Sequence, residues 1–133
     1  MTVTTDDGWL THVCAPTEMG RLVAAFDWAS TPLGPPSTWS AGLRAATSLC
    51  LTSRFPMLVV WGPELIQLYN DGYRPMLGDK HANALGRPAS EVWSEVWDVV
   101  GPMFESVITT AVPTWEECQS LIVDRHGYAE ECF

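Results

Sequence analysis

Two short apolar runs in the middle of the chain constrain its fold more than any other feature. Residues 56–62, PMLVVWG, form a continuous apolar run rich in branched side chains, which is typical of a buried strand. Residues 65–71, LIQLYND, form a second run, and the Gly-Pro-Glu sequence at 62–64 favours a turn between them. Strand, turn and strand in this order predict a β-hairpin.

Two helices are predicted before this hairpin. Thr17 is a suitable N-cap for the first helix, because its hydroxyl can accept from a free backbone N–H of the first turn. The second helix is predicted over residues 40–52. The predicted apolar faces are Met19, Leu22, Val23 and Phe26 in the first helix and Leu43, Ala46, Leu49 and Cys50 in the second.

A proline-rich segment joins the two helices. Residues 27–39, DWASTPLGPPSTW, contain three prolines and one glycine, which prevents a regular helix or strand. They also contain Trp28 and Trp39, and such large aromatic side chains are mostly buried. We therefore expect this segment to pack on the domain rather than to act as a linker.

Downstream of the hairpin, short helical pieces are predicted over residues 70–96, where glycine and proline interrupt the chain. Residues 100–112, VGPMFESVITTAV, predict the clearest helix, with Pro102 near its start and Pro113 after its end. Its predicted apolar stripe is Val99, Met103, Phe104, Val107, Ile108 and Ala111.

The tail predicts a second hairpin, with His126 and Gly127 as a two-residue turn. The expected opposite pairs are Leu121 with Cys132 and Val123 with Glu130. These elements together predict an α+β fold in which short helices flank an antiparallel sheet. The predicted divisions are a flexible N-terminus at 1–16, a helical extension at 17–54 and a sheet-containing domain at 55–133.

Charge and cysteine content narrow the classes of function. The chain has 16 acidic and 7 basic residues and a net charge of -9, so it should repel nucleic acids and anionic membranes. No apolar stretch is long enough to cross a bilayer, and the N-terminus lacks the pattern of a signal peptide. The four cysteines form no CxxC pair, which favours free thiols in a reducing cytoplasm.

Several stretches carry a resemblance to a known family. LIQLYNDGYRPMLG resembles the PAS pattern in which a strand ends on Asn70 and a small helix ends on Leu77 and Gly78. ALGRPASEVW resembles the next PAS element. Residues 26–75, with the unusual TPLGPPSTW string, are similar to the N-terminal sensor regions of bacterial histidine kinases, often hybrid ones. The resemblance to the PAS domain covers residues 19–133.

This resemblance implies a cytoplasmic sensor that couples a small-molecule or partner signal to an output domain such as the histidine kinase of a two-component system. An alternative is a ligand-free module for protein–protein interaction or dimerisation. A third interpretation is a small lyase or isomerase. The sequence shows no clustered acid and base residues, which speaks against it. The chain contains no GxSxG, HExxH, phosphate-binding glycine loop or kinase motif, so we expect no catalysis.

The resemblance also implies a missing strand. In the PAS sheet the fifth strand pairs with the first and the fourth, and here the chain reaches Phe133 within the fourth. We expect one edge of the first strand to be open, which invites pairing with another chain. Three explanations are open. The natural protein continues beyond Phe133 and supplies the strand, which is the explanation we favour; the chain exchanges or adds strands with a neighbour, giving a homo-oligomer or a strand-swapped dimer; or the first strand pairs directly with the tail.

The resemblance implies that any ligand pocket lies between the sheet and the longest helix. Six residues are candidates to line an apolar pocket: Tyr69, Trp93, Trp97, Met103, Phe104 and Trp115. The competing interpretation is that these side chains fill the core. We predict no metal or cofactor: His81 is a haem-ligand candidate but is interpreted as an exposed loop histidine, and the cysteine motif of flavin photosensors is absent. Asn70 is expected to bond backbone groups where its strand ends.

Overall fold

The predicted central hairpin is present. In the computed structural model, which describes residues 9–10, 17–110, 121–124 and 129–132, β1 (Leu58–Trp61) pairs antiparallel with β2 (Ile66–Tyr69). Val59 lies opposite Leu68 in the register. Gly62, with φ 81°, turns the chain between the strands, and the N–H of Leu65 donates to the Gly62 carbonyl at 3.0 Å.

The burial of the two strands differs from the expectation. All four residues of β2 are buried, whereas the more apolar β1 is only half-buried. The cause is a second neighbour on the outer edge of β2. Gln67 donates its N–H to the Arg87 carbonyl at 3.1 Å and accepts from the Gly86 N–H at 2.9 Å. β2 is therefore the inner strand, and β1 is an edge strand among the described residues.

Both helices before the hairpin are confirmed, and the first begins at its predicted cap. α1 (Glu18–Ala25) begins where the Thr17 hydroxyl accepts from the Gly20 N–H at 2.9 Å. α2 (Ala41–Thr52) begins where the Ser40 hydroxyl accepts from the Leu43 N–H at 3.2 Å. Short 3-10 turns at Trp28–Ser30 and Pro36–Thr38 lie between these helices.

The predicted apolar face of α2 was partly wrong. Leu49 is 62% exposed, and Thr47, a polar residue, is fully buried instead. The buried stripe of this helix is Leu43, Thr47, Cys50 and Leu51. Thr47 is tolerated in the core because its hydroxyl donates to the Leu43 carbonyl one turn earlier, at 2.8 Å.

The proline-rich segment packs into the core as expected. Trp28 and Trp39 are both buried, with ring centroids 5.3 Å apart in an edge-to-face arrangement. Their indole N–H groups are satisfied locally, since Trp28 donates to the Val23 carbonyl and Trp39 to the Gly34 carbonyl. One hydrophobic cluster contains residues from both sides of position 54, and the assignment of 55–133 to a separate domain stays a prediction.

Four short elements and one long helix follow β2. They are α3 (Arg74–Leu77), a 3-10 helix (Gly78–Asn83), α4 (Ala89–Val92), a 3-10 turn (Ser94–Val96) and α5 (Trp97–Thr110). Because α5 begins three residues before the predicted start, Pro102 lies inside it rather than near its start. The predicted stop at Pro113 falls outside the described residues.

The second hairpin is also confirmed, together with its register. β3 (Leu121–Asp124) pairs antiparallel with β4 (Ala129–Cys132), and Leu121 lies opposite Cys132 and Val123 opposite Glu130. Its predicted turn at His126 and Gly127 falls outside the described residues. The α+β class is thus confirmed. Within the described part of the chain the strands form two separate two-stranded sheets.

Candidate ligand-binding groove

An open apolar groove of about 1340 Å³ runs between β1 and α5. Among the described residues that line it, Glu105 is the one with a charged side chain. The strand and its turn contribute Leu58, Val59, Val60, Trp61, Gly62, Pro63 and Leu65, and the helix contributes Val100, Met103, Phe104, Glu105, Val107, Ile108 and Thr109. This lining is suited to binding apolar groups and offers no acid and base pair for catalysis.

The strand side of the groove includes a free backbone edge. The N–H of Asn70 donates to the Met57 carbonyl at 3.3 Å, so residues 57, 59 and 61 direct their backbone groups toward β2. Leu58 and Val60 direct theirs to the other side. No described residue provides a backbone hydrogen bond to these two. The groove therefore offers hydrogen-bonding groups as well as apolar side chains.

On the helix side of the groove, side chains of α5 pack against one another. The Trp97 ring stacks on Phe104 with centroids 5.6 Å apart and planes 20° apart. Gly101 lies between them along the helix, and a Cβ there would approach the Trp97 Nε1 to 2.7 Å. The last turn of the helix is open, since Val107 is 39% and Ile108 64% exposed. The described residues of the predicted apolar stripe thus face the groove or the solvent, and Ala111 lies outside the described residues.

The six pocket candidates occupy different places. Met103 and Phe104 line the groove, and Trp97 supports Phe104. Tyr69 and Trp93 are core residues, 0% and 6% exposed, and are not among its lining residues. Trp115 lies outside the described residues. The β1 residues were not singled out from the sequence as pocket residues, because a continuous apolar run is also the pattern of a buried strand.

His81 is not the exposed loop residue expected from the sequence. It is half-buried, and its Nδ1 lies 2.6 Å from the hydroxyl of Tyr69. Burial, with a further contribution from the Arg74 charge, lowers the pKa of His81, whereas the Glu18 carboxylate opposes the change. Burial raises the pKa of Tyr69 to about 12, so the phenol stays protonated and can donate to the imidazole.

The remaining candidate chemistry is limited. Cys50 is buried, and its burial raises the pKa of the thiol to about 12, which makes the thiolate inaccessible at neutral pH. In the part of the chain that the structure describes, no three His, Cys, Asp or Glu side chains are grouped to hold a metal ion. No helix in that part is long and apolar enough to cross a membrane.

Comparisons of the chain with protein-family models, with curated proteins and with solved structures found no match.

Proposed function

We propose that this chain is a cytoplasmic sensory module, PAS-like in type, that binds an apolar ligand between β1 and α5. It then regulates an output domain, such as a histidine kinase, and catalyses no reaction itself. The observation that carries the proposal is the large apolar groove lined by Met103, Phe104 and the whole of β1. The sequence resemblance to kinase sensor regions supports the signalling role.

The position of the groove suggests how a ligand would act. Its two walls belong to different elements, and α5 is continuous with the 3-10 turn Ser94–Val96, beside which β3 lies. A ligand that contacts both walls favours the packing of α5 on β1 in which both contacts are made. It therefore shifts the population of states by its differential affinity for that packing. The output domain would respond to this shift.

A neutral apolar dye, N-phenyl-1-naphthylamine, tests the proposal. We expect saturable fluorescence enhancement with the full chain. F104A should raise the dissociation constant of the dye about fivefold, because the contact with the Phe104 ring is lost. The matched control is F55A, since Phe55 is 79% exposed and does not line the groove. Equal effects of the two variants, or no saturable binding, would contradict the proposal.

The free edge of β1 supports a second candidate, a ligand-free interaction or dimerisation module. Unpaired backbone groups at Leu58 and Val60 suit an added strand better than they suit an apolar molecule. In that case V60K should abolish association, whereas F104A should leave dye fluorescence unchanged because no ligand site exists. F104A therefore separates the two candidates, because only the sensory module has a dye site that this variant weakens.

A further inference from the structure

A second, smaller groove of about 370 Å³ lies between α1 and the segment 81–87. It is separate from the β1–α5 groove and shares no lining residue with it. Its lining residues are Leu22, Phe26, His81, Ala82, Asn83, Leu85 and Arg87. The volume is within the usual range for a small-molecule site, and none of these residues is acidic.

The polar side of this groove carries hydrogen-bond donors. Arg87 is exposed, and no described residue forms an ion pair or hydrogen bond with its guanidinium. Nδ1 of His81 lies 2.6 Å from the Tyr69 hydroxyl, and where Tyr69 donates this bond the proton of the neutral imidazole is on Nε2. No described residue accepts from that Nε2. In that arrangement, Arg87 and His81 each present a donor on the lining of one small groove.

The apolar side comes from α1 and from Leu85. Leu22 is 40% exposed although it is a large aliphatic residue, and Phe26 is partly buried. The Phe26 ring packs directly against Gly86, where any Cβ would overlap it. The apolar wall is thus held beside the backbone that carries Arg87.

Both walls are attached to the core, which makes the groove pre-formed. The Arg87 segment pairs with β2 through Gln67, with N···O distances of 3.1 and 2.9 Å. The start of α1 is fixed where the Met19 N–H donates to Asp71 Oδ1 at 2.7 Å and where Glu18 forms an ion pair with Arg74. A ligand would bind without having to order the chain, which favours affinity.

We propose that this groove binds a small amphipathic carboxylate, with the carboxylate on Arg87 and His81 and the apolar body against Leu22, Phe26 and Leu85. The guanidinium can bond a carboxylate through two parallel N–H donors. A nonspecific surface would not attract such an anion, because the chain carries a net charge of -9. The local arrangement, rather than the overall charge, supplies the specificity.

The test is an NMR titration of the full chain with 3-phenylpropionate. We expect saturable chemical-shift changes of the backbone amides, centred on residues 81–87 and on α1. R87Q should raise the dissociation constant of 3-phenylpropionate about tenfold. The control R54Q removes the same charge from an exposed arginine that does not line the groove, and it should leave the dissociation constant unchanged. The neutral 3-phenylpropanamide should bind more weakly than the carboxylate.

Two further arms separate the apolar and the anionic contributions. L22S should weaken the binding of 3-phenylpropionate. It should leave the binding of inorganic phosphate unchanged, since phosphate has no apolar body. The proposal is overturned if no saturable shifts appear, if R54Q weakens binding as much as R87Q, or if phosphate binds as tightly as 3-phenylpropionate. Thermal unfolding of each variant without ligand checks that all remain folded.

Discussion

Asn70 shows how one polar side chain organises the end of a strand. It is 2% exposed, and its Oδ1 accepts from the N–H groups of Met57 and Tyr73 at 3.1 and 3.0 Å. Its Nδ2 lies 2.9, 3.2 and 2.7 Å from the carbonyl oxygens of Cys50, Ser53 and Phe55, so its two hydrogens serve three acceptors and one hydrogen is shared. These bonds join the end of α2, the start of β1 and the exit from β2. The expectation that Asn70 bonds backbone groups is confirmed.

We expect N70A to lower the free energy of unfolding by about 3 kcal/mol, because it leaves several buried backbone groups without partners. Chemical denaturation measures this change. The control is N83A, which removes the same amide from an exposed position and should change the stability by less than about 0.5 kcal/mol. Equal effects would mean that the Asn70 network contributes little.

His81 should make the stability depend on pH. Its pKa is lowered from the ordinary 6.5 by burial and by Arg74, with Glu18 opposing. The unfolded chain therefore binds more protons than the folded chain between the lowered pKa and 6.5, so stability falls as the pH decreases through that window. H81Q should reduce this slope, and H126Q should retain it. A slope unchanged in H81Q would show that other groups cause it.

At the scale of elements, residue patterns within each segment were sufficient to predict much of the secondary structure. The cap at Thr17 and the register of the second hairpin could be predicted from residue type and turn length. The burial of each strand could not be predicted in this way, because it depends on which distant segment covers the strand. β2 is buried on account of the backbone at 86–89, which no pattern within LIQLYND indicates.

The contact between α1 and the segment 81–87 depends on Gly86. Gly34 and Gly86 have nearly the same φ, 73° and 75°, but only at Gly86 would a Cβ overlap the Phe26 ring. We expect G34A to cost about 1 kcal/mol, the strain of a left-handed alanine, and G86A about 2–4 kcal/mol. Denaturant unfolding of both variants measures the difference. Equal costs would mean that Phe26 moves aside freely.

For the whole molecule, the candidate sites combine residues far apart in the sequence. Met103 and Phe104 were proposed from the sequence to line a pocket beside the sheet, but the particular residues of β1 that face them follow only from the packing of α5 beside an edge strand. The smaller groove joins Leu22 and Phe26 to residues 81–87, and no sequence period connects these segments. Sequence reasoning missed it because His81 was treated as an exposed loop residue.

Part of the exposed apolar surface of the described residues lies beside the β1 edge. Trp61, Val107 and Ile108 are 37%, 39% and 64% exposed and line the same groove, next to the unpaired backbone of Leu58 and Val60. An edge strand with apolar surroundings and no charged side chain is prone to pair with another strand. We therefore expect the chain to self-associate through β1.

Sedimentation velocity between about 1 and 100 µM should show a monomer that associates as the concentration rises, since each added strand bonds the free edge. V60K places a charge on that edge and should shift the chain toward the monomer. L49K is the matched control, because Leu49 is a 62% exposed aliphatic residue on α2 outside the groove. It should leave the association unchanged. A compact monomer at every concentration would show that the β1 edge tolerates exposure, and equal effects of V60K and L49K would place the contact elsewhere.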